Sequence, residues 1–324
     1  MRIVAADIGG THARFALAEL VPGRRPELGE MRKYRTRDYP GLAEAWARFE
    51  QDNGGALPRA ASLAIAAPIQ GEILTFMNSD WRLDRHGLKA ELDLDKLCFL
   101  NDFGAVAHTV SMIPGEEFVP IAGPGDLPAD GITSVIGPGT GLGVSLLDRR
   151  PKRDGARVSV IETEAAHIGF SPFDPEEEEL ADFLTARYGR ASVERIVSGP
   201  GLIDIYHFLG GAEAPDPNQA GLLWDTAISG VDKVAERALS ILIRSFGAAA
   251  GDIALAHGAM GVALSGGLAN RIAHLLKAPA FEARFTAKGR YRERMQHTPV
   301  RLLTYTEPGL LGAAIAFERE FGAG

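Results

Sequence analysis

Ile3-Val4-Ala5-Ala6-Asp7-Ile8-Gly9-Gly10-Thr11 is a strand-like run that closes on a carboxylate and a glycine turn, and Arg14-Phe15-Ala16-Leu17 resumes the apolar pattern after it. The pattern recurs far along the chain. Ile132 to Ile136 leads into Gly137-Pro138-Gly139-Thr140-Gly141-Leu142-Gly143 and then Val144-Ser145-Leu146-Leu147. Each copy reads as strand, tight turn, strand, with a threonine in the turn. Glycine lets the backbone turn sharply and approach a ligand closely, because no Cβ stands in the way. Clustered backbone N–H groups in such turns attract anionic oxygens, and two turns facing each other would hold a polyphosphate. Either turn alone reads first as a plain hairpin connection. The duplication shifts that reading, as does Asp7 at a strand end, where a carboxylate beside phosphates suits Mg²⁺. Other nucleotide signatures are absent. No Gly-Lys pair occurs, so there is no Walker A loop, and the second turn does not fit G-x-G-x-x-G.

Composition narrows the class. The 324 residues suit two domains. A chain 46% hydrophobic and 23% charged has the balance of a soluble globular protein. A net charge of −8 without a long basic run argues against nucleic acid or an anionic membrane surface as partner. Cys98, the single cysteine, rules out an intrachain disulfide and reads as a buried strand residue in Leu97-Cys98-Phe99-Leu100. Met1-Arg2-Ile3-Val4-Ala5 reaches Asp7 too soon for a signal peptide, and no apolar stretch is expected to reach the length of a membrane span. A cytoplasmic protein is expected. The eight histidines show no zinc-type spacing.

Along the chain, strand-like runs at 2–6, 13–19, 61–67 and 97–100 alternate with helical stretches near 41–50 and 103–112. A second series has strands at 132–136, 143–148 and 157–161. The alternation indicates α/β domains. Ile228, Val231, Ala235, Ala238, Leu239, Leu242 and Phe246 recur at helical spacing and predict a helix near 226–247 with one buried face. Val262-Ala263-Leu264 ends in Ser265-Gly266-Gly267. Segment 113–131, rich in Pro and Gly, reads as an interdomain connection, and 209–220 as an exposed loop. Two α/β halves, each opening on a phosphate-type hairpin, suggest by analogy the duplicated architecture of the actin-like ATPases and sugar kinases, with nucleotide in the cleft between halves.

The polar residues at strand ends carry the chemistry. Asn101-Asp102-Phe103 follows the apolar strand Lys96 to Leu100 and precedes a helix. A carboxylate there can accept a proton from a substrate hydroxyl, as phosphoryl transfer requires. Equally, Asp102 or Asn101 can cap the helix. Asn78-Ser79-Asp80-Trp81, Glu164-Ala165-Ala166-His167 and the stretch Ser192 to Gly201 add carboxylates, amides and an imidazole. These groups pair with the hydroxyls of an uncharged sugar. Each also has a plainer reading: Trp81 as packing, His167 as a satisfied core histidine, Glu194 as a first-turn helix residue.

These pieces together resemble the bacterial ATP-dependent glucokinases of the type that is not a repressor relative. The resemblance runs nearly end to end. It rests on Asp7 to Thr11, Asn78 to Trp81, Asn101 to Phe103, Gly139 to Gly143, Glu164 with His167, Ser192 to Gly201, Ser265 to Gly267, Lys288-Gly289-Arg290, and Pro308-Gly309-Leu310-Leu311-Gly312. It implies an α/β, two-domain actin-like ATPase (ribonuclease H-like) fold with nucleotide and sugar in the interdomain cleft. The small domain would hold 1–112 plus 305–324 and the large one 113–304. The resemblance also implies roles. Ala6, Asp7, Ile8, Gly9, Gly10 and Thr11 would bind ATP phosphates, with Asp7 near Mg²⁺. Gly139, Thr140 and Gly141 would form the second phosphate loop, and Gly266 and Gly267 would approach the adenosine. Asp102 would be the general base for the 6-hydroxyl of D-glucose. Asn78, Asn101, Glu164, His167 and Glu194 would hold the sugar. A homodimer is implied.

Two departures stand out. Ala165 and Ala166 replace the family's two glycines, which is costly if either needs φ > 0. The expectation is that the backbone avoids φ > 0 here. His12 stands where asparagine is frequent. The rival readings are a kinase of another hexose, such as mannose, fructose or an amino sugar, and a catalytically idle sugar-binding protein of the same fold. A sugar-sensing regulator would need a DNA-reading helix-turn-helix, for which a phosphate loop beginning at residue 6 leaves no room.

Overall fold

In the computed structural model, which describes residues 1–67, 71–76, 79–151, 158–211 and 220–322, the first apolar run becomes β1 (Arg2–Ile8). The turn Gly9 to Thr11 returns it as β2 (His12–Glu19), closed by Gly9 N–H donating to the His12 carbonyl at 2.9 Å. The short strands β3 (Glu27–Leu28) and β4 (Arg32–Arg35) both pair with β2. Then β5 (Ala60–Ile65) lies parallel to β1, and after the hairpin of β6 (Ile73–Phe76) and β7 (Ser79–Asp84), β8 (Lys96–Asn101) lies parallel to β5. Ile8, Ile65 and Asn101 stand in one register, so three parallel strands end together.

Side chains alternate across β1 because the strand repeat is two residues. Val4, Ala6 and Ile8 join Leu42, Trp46 and Phe49 of the helix Leu42–Asp52. Ile3 and Ala5 face the other way, into a cluster with Leu310, Ala313 and Phe317 of the helix Pro308–Phe321. Trp81 is indeed packing: it is buried in the first cluster and its indole N–H donates to the Tyr39 carbonyl at 2.9 Å. Cys98 is buried in β8. The helix Pro308–Phe321 also lies against the helix Asp102–Val110. A Cβ at Gly312 would stand 1.7 Å from the Ala105 carbonyl oxygen, and Thr109 Oγ1 donates to the Pro308 carbonyl at 2.6 Å. These elements form one compact unit, Met1–Ile113 with Tyr305–Gly324.

The second unit, Pro114–Thr304, repeats the plan. It contains β9 (Phe118–Ala122), β10 (Ile132–Pro138), β11 (Leu142–Asp148), β12 (Ser159–Thr163), β13 (Gly261–Leu264) and β14 (Val300–Leu303). Their order is β12-β11-β10-β13-β14-β9. As with β1 and β2, β10 pairs antiparallel with β11, while β13 and β14 continue the sheet in parallel. The helix Lys233–His257 supplies the core on one side, with Phe246 edge-on to Phe281.

Three sequence expectations need correction. Phe118–Ala122, within the stretch read as a connection, is the edge strand β9, paired antiparallel with β14. Its Pro120 is tolerated because an edge strand has an unpaired side. The helix expected near 226–247 is two helices, Ala220–Ser229 and Lys233–His257. Gly230 takes φ 69° between them and Asp232 caps the second through the N–H groups of Val234 and Ala235, so Val231 is 80% exposed instead of buried. Lys233–His257 is also, at 25 residues, long and apolar enough by composition to cross a membrane, contrary to expectation. Most of that apolar window, 78%, is buried inside the protein, as a core helix requires. Of the expected loop 209–220, residues 212–219 lie outside the described residues.

Because any side chain at Gly312 meets backbone rather than a movable side chain, Gly312→Val should destabilise the protein by roughly 1–3 kcal/mol or more. Thermal unfolding followed by circular dichroism should show a lowered Tm.

Candidate active site

In the first unit, the register of β1, β5 and β8 places the Gly9-Gly10-Thr11 turn and the Asn101-Asp102 pair at the same edge of the sheet, the carboxyl ends of its parallel strands. That edge is where open α/β sheets bind ligands. Ala6 and Ile8 are buried strand residues. Gly9 has only the His12 carbonyl near its missing Cβ, at 3.7 Å, so a ligand can reach its backbone. Asp7 is half-buried, with Arg14 directly across the hairpin and donating to Asp7 Oδ2 at 3.1 Å. Arg14 also lies 3.7 Å from Glu307. Burial pushes the Asp7 carboxyl above its ordinary value, and the Arg14 cation opposes this. Burial raises Glu307 as well, with Arg14 again opposing.

Helix capping falls to Asn101. Its Oδ1 accepts from Phe103 N–H at 2.9 Å and Gly104 N–H at 3.4 Å. Asp102 is the first residue of the helix, its Oδ1 accepting from Phe103 N–H at 2.9 Å. Asn78 lies outside the described residues.

In the second unit, the turn Gly139-Thr140-Gly141 joins β10 to β11. Gly139 N–H donates to the Gly141 carbonyl at 2.7 Å, and Gly199 N–H donates to the Gly139 carbonyl at 2.8 Å. The same sheet edge carries Gly266 and Gly267 after β13, with Ser265 N–H donating to the Ile136 carbonyl at 3.0 Å. Gly266 has φ 100°, and a Cβ there would meet the Pro138 carbonyl oxygen at 2.9 Å, so only glycine fits against the hairpin. Glu164, His167 and Glu194 come together: His167 Nε2 is 3.6 Å from Glu164 Oε2 and its Nδ1 is 3.9 Å from Glu194 Oε1. His167 is 56% exposed at its side chain, so it is no core histidine. Glu194 sits in a turn, not a helix, and its Oε2 accepts from Leu142 N–H at 3.0 Å.

Comparison with known proteins is decisive. The glucokinase family model matches residues 4–320. The chain belongs to the glucokinase family. It is 45% identical to the glucokinase of Zymomonas mobilis, over 99% of both chains. A solved glucokinase from an Antarctic psychrotroph superposes with a TM-score of 0.82 at 28% identity, covering 98% of this chain and 99% of that one. A Balamuthia mandrillaris glucokinase solved with glucose shares the fold, at TM-score 0.78 and 23% identity, over 98% of this chain and 93% of that one. The fold is therefore that of the actin-like ATPase sugar kinases, and the expectation of a glucose-phosphorylating kinase is borne out.

Among the residues this glucokinase-family sheet edge brings to Asp7, Arg14 and Glu307 went unmarked in the sequence. Arg14 was findable, since a hairpin turning at residues 9–12 pairs position 7 with 14. Glu307 gives no local signal, because it arrives from the far end of the chain. The two alanines are unstrained. Ala165–His167 is a short 3₁₀ turn, and Asp93 is the one non-glycine residue with φ > 0 among the described residues.

Two tests follow from this geometry. Restoring glycine as Ala165→Gly/Ala166→Gly should leave the ranking of kcat/KM for glucose, mannose and fructose unchanged while lowering stability by about 0.4–1 kcal/mol per site. Arg14→Met removes the cation that opposes burial, so the Asp7 carboxyl should rise further and stay protonated to higher pH. The acid limb of the kcat/KM profile should then move to higher pH.

Proposed function

We propose that this kinase moves the γ-phosphoryl group of ATP to the 6-hydroxyl of D-glucose, with Asp102 accepting the hydroxyl proton. The observation that supports the assignment is the start of the helix Asp102–Val110: Asn101 caps it through Phe103 and Gly104, and the Asp102 carboxylate, which also accepts from Phe103 N–H, stands at the carboxyl-end edge of the parallel strands, where open α/β sheets take ligands. Asn101 would turn its amide Nδ2 to a sugar oxygen. Glu164, His167 and Glu194, clustered in the second unit, would take the remaining hydroxyls with Asn78. The backbone N–H groups of Gly9 to Thr11 and of Gly139 to Gly141 would hold the phosphates, and Gly266 with Gly267 would lie along the adenosine.

The donors at Asp7 fit Mg²⁺, which takes one or two carboxylates and completes its shell with phosphate oxygens and water. Among the described residues no group of three or more Asp, Glu, His or Cys could form a protein-only cage. That suits a cation carried in on the nucleotide, with Asp7 its protein ligand. Bound there, Mg²⁺ would neutralise charge on the phosphates. The protein's own part is to orient the sugar oxygen and the phosphoryl group and to take up the proton. A homodimer working in the cytoplasm belongs to the same reading, and sedimentation of the purified protein tests the dimer.

ADP release measured with ATP–Mg²⁺ across a panel of hexoses should be greatest with glucose. A higher kcat/KM for mannose, fructose or an amino sugar would reassign the substrate, and no release with any sugar would leave an idle binding protein. Asp102→Asn keeps shape and loses the basic oxygen. It should bind glucose with near-unchanged Kd in a fluorescence titration and lose about 10²–10⁴-fold in kcat.

A further inference from the structure

One carboxylate in the second unit joins the sugar cluster to the phosphate hairpin. Glu194 Oε1 faces the His167 imidazole at 3.9 Å, and Oε2 accepts from Leu142 N–H at 3.0 Å, one residue past Gly141. The residue is fixed from behind: Glu194 N–H donates to the Ala166 carbonyl at 3.0 Å and Val193 N–H to the Ile168 carbonyl at 3.0 Å. At 21% side-chain exposure it is much more enclosed than Glu164 at 68% or His167 at 56%. The hairpin is shaped to receive it. A Cβ at position 141 would stand 2.5 Å from Glu194 Oε2, so any residue but glycine there would push the carboxylate away.

We infer that Glu194 couples the two substrates: a sugar hydroxyl on Oε1 and the Leu142 N–H on Oε2 fix one rigid carboxylate, so glucose orders the 139–143 hairpin for the nucleotide and nucleotide orders Glu194 for glucose. The inference rests on the proposed roles of Glu194 as a sugar ligand and of this hairpin as a phosphate loop. It adds to them a positioning role that reaches the nucleotide through the backbone. A carboxylate bonded to a backbone N–H is among the stronger protein hydrogen bonds and is directional. Because the carboxylate is planar, a partner that fixes one oxygen fixes the other. Coupling of this kind is reciprocal, so each ligand must tighten the other by the same factor.

The experiment measures that factor. Glucose Kd is determined by intrinsic fluorescence with and without saturating AMPPNP–Mg²⁺, and the nucleotide Kd with and without glucose. The unaltered protein should show a coupling factor of about 5-fold or more from either side. Glu194→Asp is shorter by about 1.5 Å and cannot serve both oxygens' partners at once. Its factor should fall to near 1. Gly141→Ala alters no sugar-binding residue and displaces the Glu194 carboxylate from Leu142, so it too should lose the factor. Glu194→Gln keeps length and an acceptor for Leu142 N–H and should retain most of it. A residue that merely holds the fold would weaken both ligands and leave the factor unchanged, so an unaltered factor in Glu194→Asp and Gly141→Ala overturns the inference. So does a factor near 1 in the unaltered protein that binds both ligands. Failure of the unaltered protein to bind glucose or AMPPNP at all would overturn the functional reading along with it.

Discussion

The parallel register of three strands is the constraint on which the rest of the first unit depends. Ile8, Ile65 and Asn101 stand level because β1, β5 and β8 pair in phase. A slip of one residue would exchange the two faces of every side chain in a strand. It would send Val4, Ala6 and Ile8 away from Phe49 and Trp46. The packing of two different helices on the two faces thus fixes where the glycine turn and the Asn101-Asp102 pair emerge. The second unit applies the same constraint through Ile136 and Leu264, which level the 139–143 hairpin with Gly266.

The sequence disclosed most where a local rule has a single outcome. Val, Ile and Ala runs ending in glycine formed both hairpins, and their repetition revealed the doubled plan. It disclosed less where a residue's role is set by a partner far along the chain. Asn101 and Asp102 are interchangeable as caps by composition. Only the backbone geometry separates them: Phe103 N–H serves both carbonyl and carboxylate oxygens, but Gly104 N–H turns to Asn101 Oδ1 and the helix begins at Asp102. Composition leaves Glu194 open between a sugar ligand and a helix-start residue, and its bond from Leu142 N–H comes from a hairpin some fifty positions earlier, which no local pattern announces. Phe118–Ala122 was hidden because edge strands tolerate proline and lie beside glycine-rich turns, which read as linker. The break at Gly230 was overrun because Ile228 and Val231 continue a helical period that the glycine then interrupts.

The Asp7 surroundings store a tension between stability and chemistry. Burial raises both Asp7 and Glu307 above their ordinary values. For carboxyls raised in the folded state, the stabilising contribution is full below the unfolded value and is lost as pH rises through the folded one. As pH rises through those folded-state values the two carboxyls ionise in a desolvated place and weaken the fold, with Arg14 as the shared offset. Such placements concentrate at functional sites, and a cation arriving with a nucleotide would relieve this one.

The helix Pro308–Phe321 has a consequence for the order of events during synthesis. The first unit needs both ends of the sequence: Ile3 and Ala5 are covered by Leu310 and Phe317. The second unit is one unbroken stretch, Pro114–Thr304. On a ribosome, domains generally fold as units as they emerge. The second unit can close its core while the apolar face of β1, already made, waits for residues some three hundred positions downstream. Contacts of such sequence separation are the slow ones to form, so the last helix sets the pace at which the chain becomes a finished enzyme.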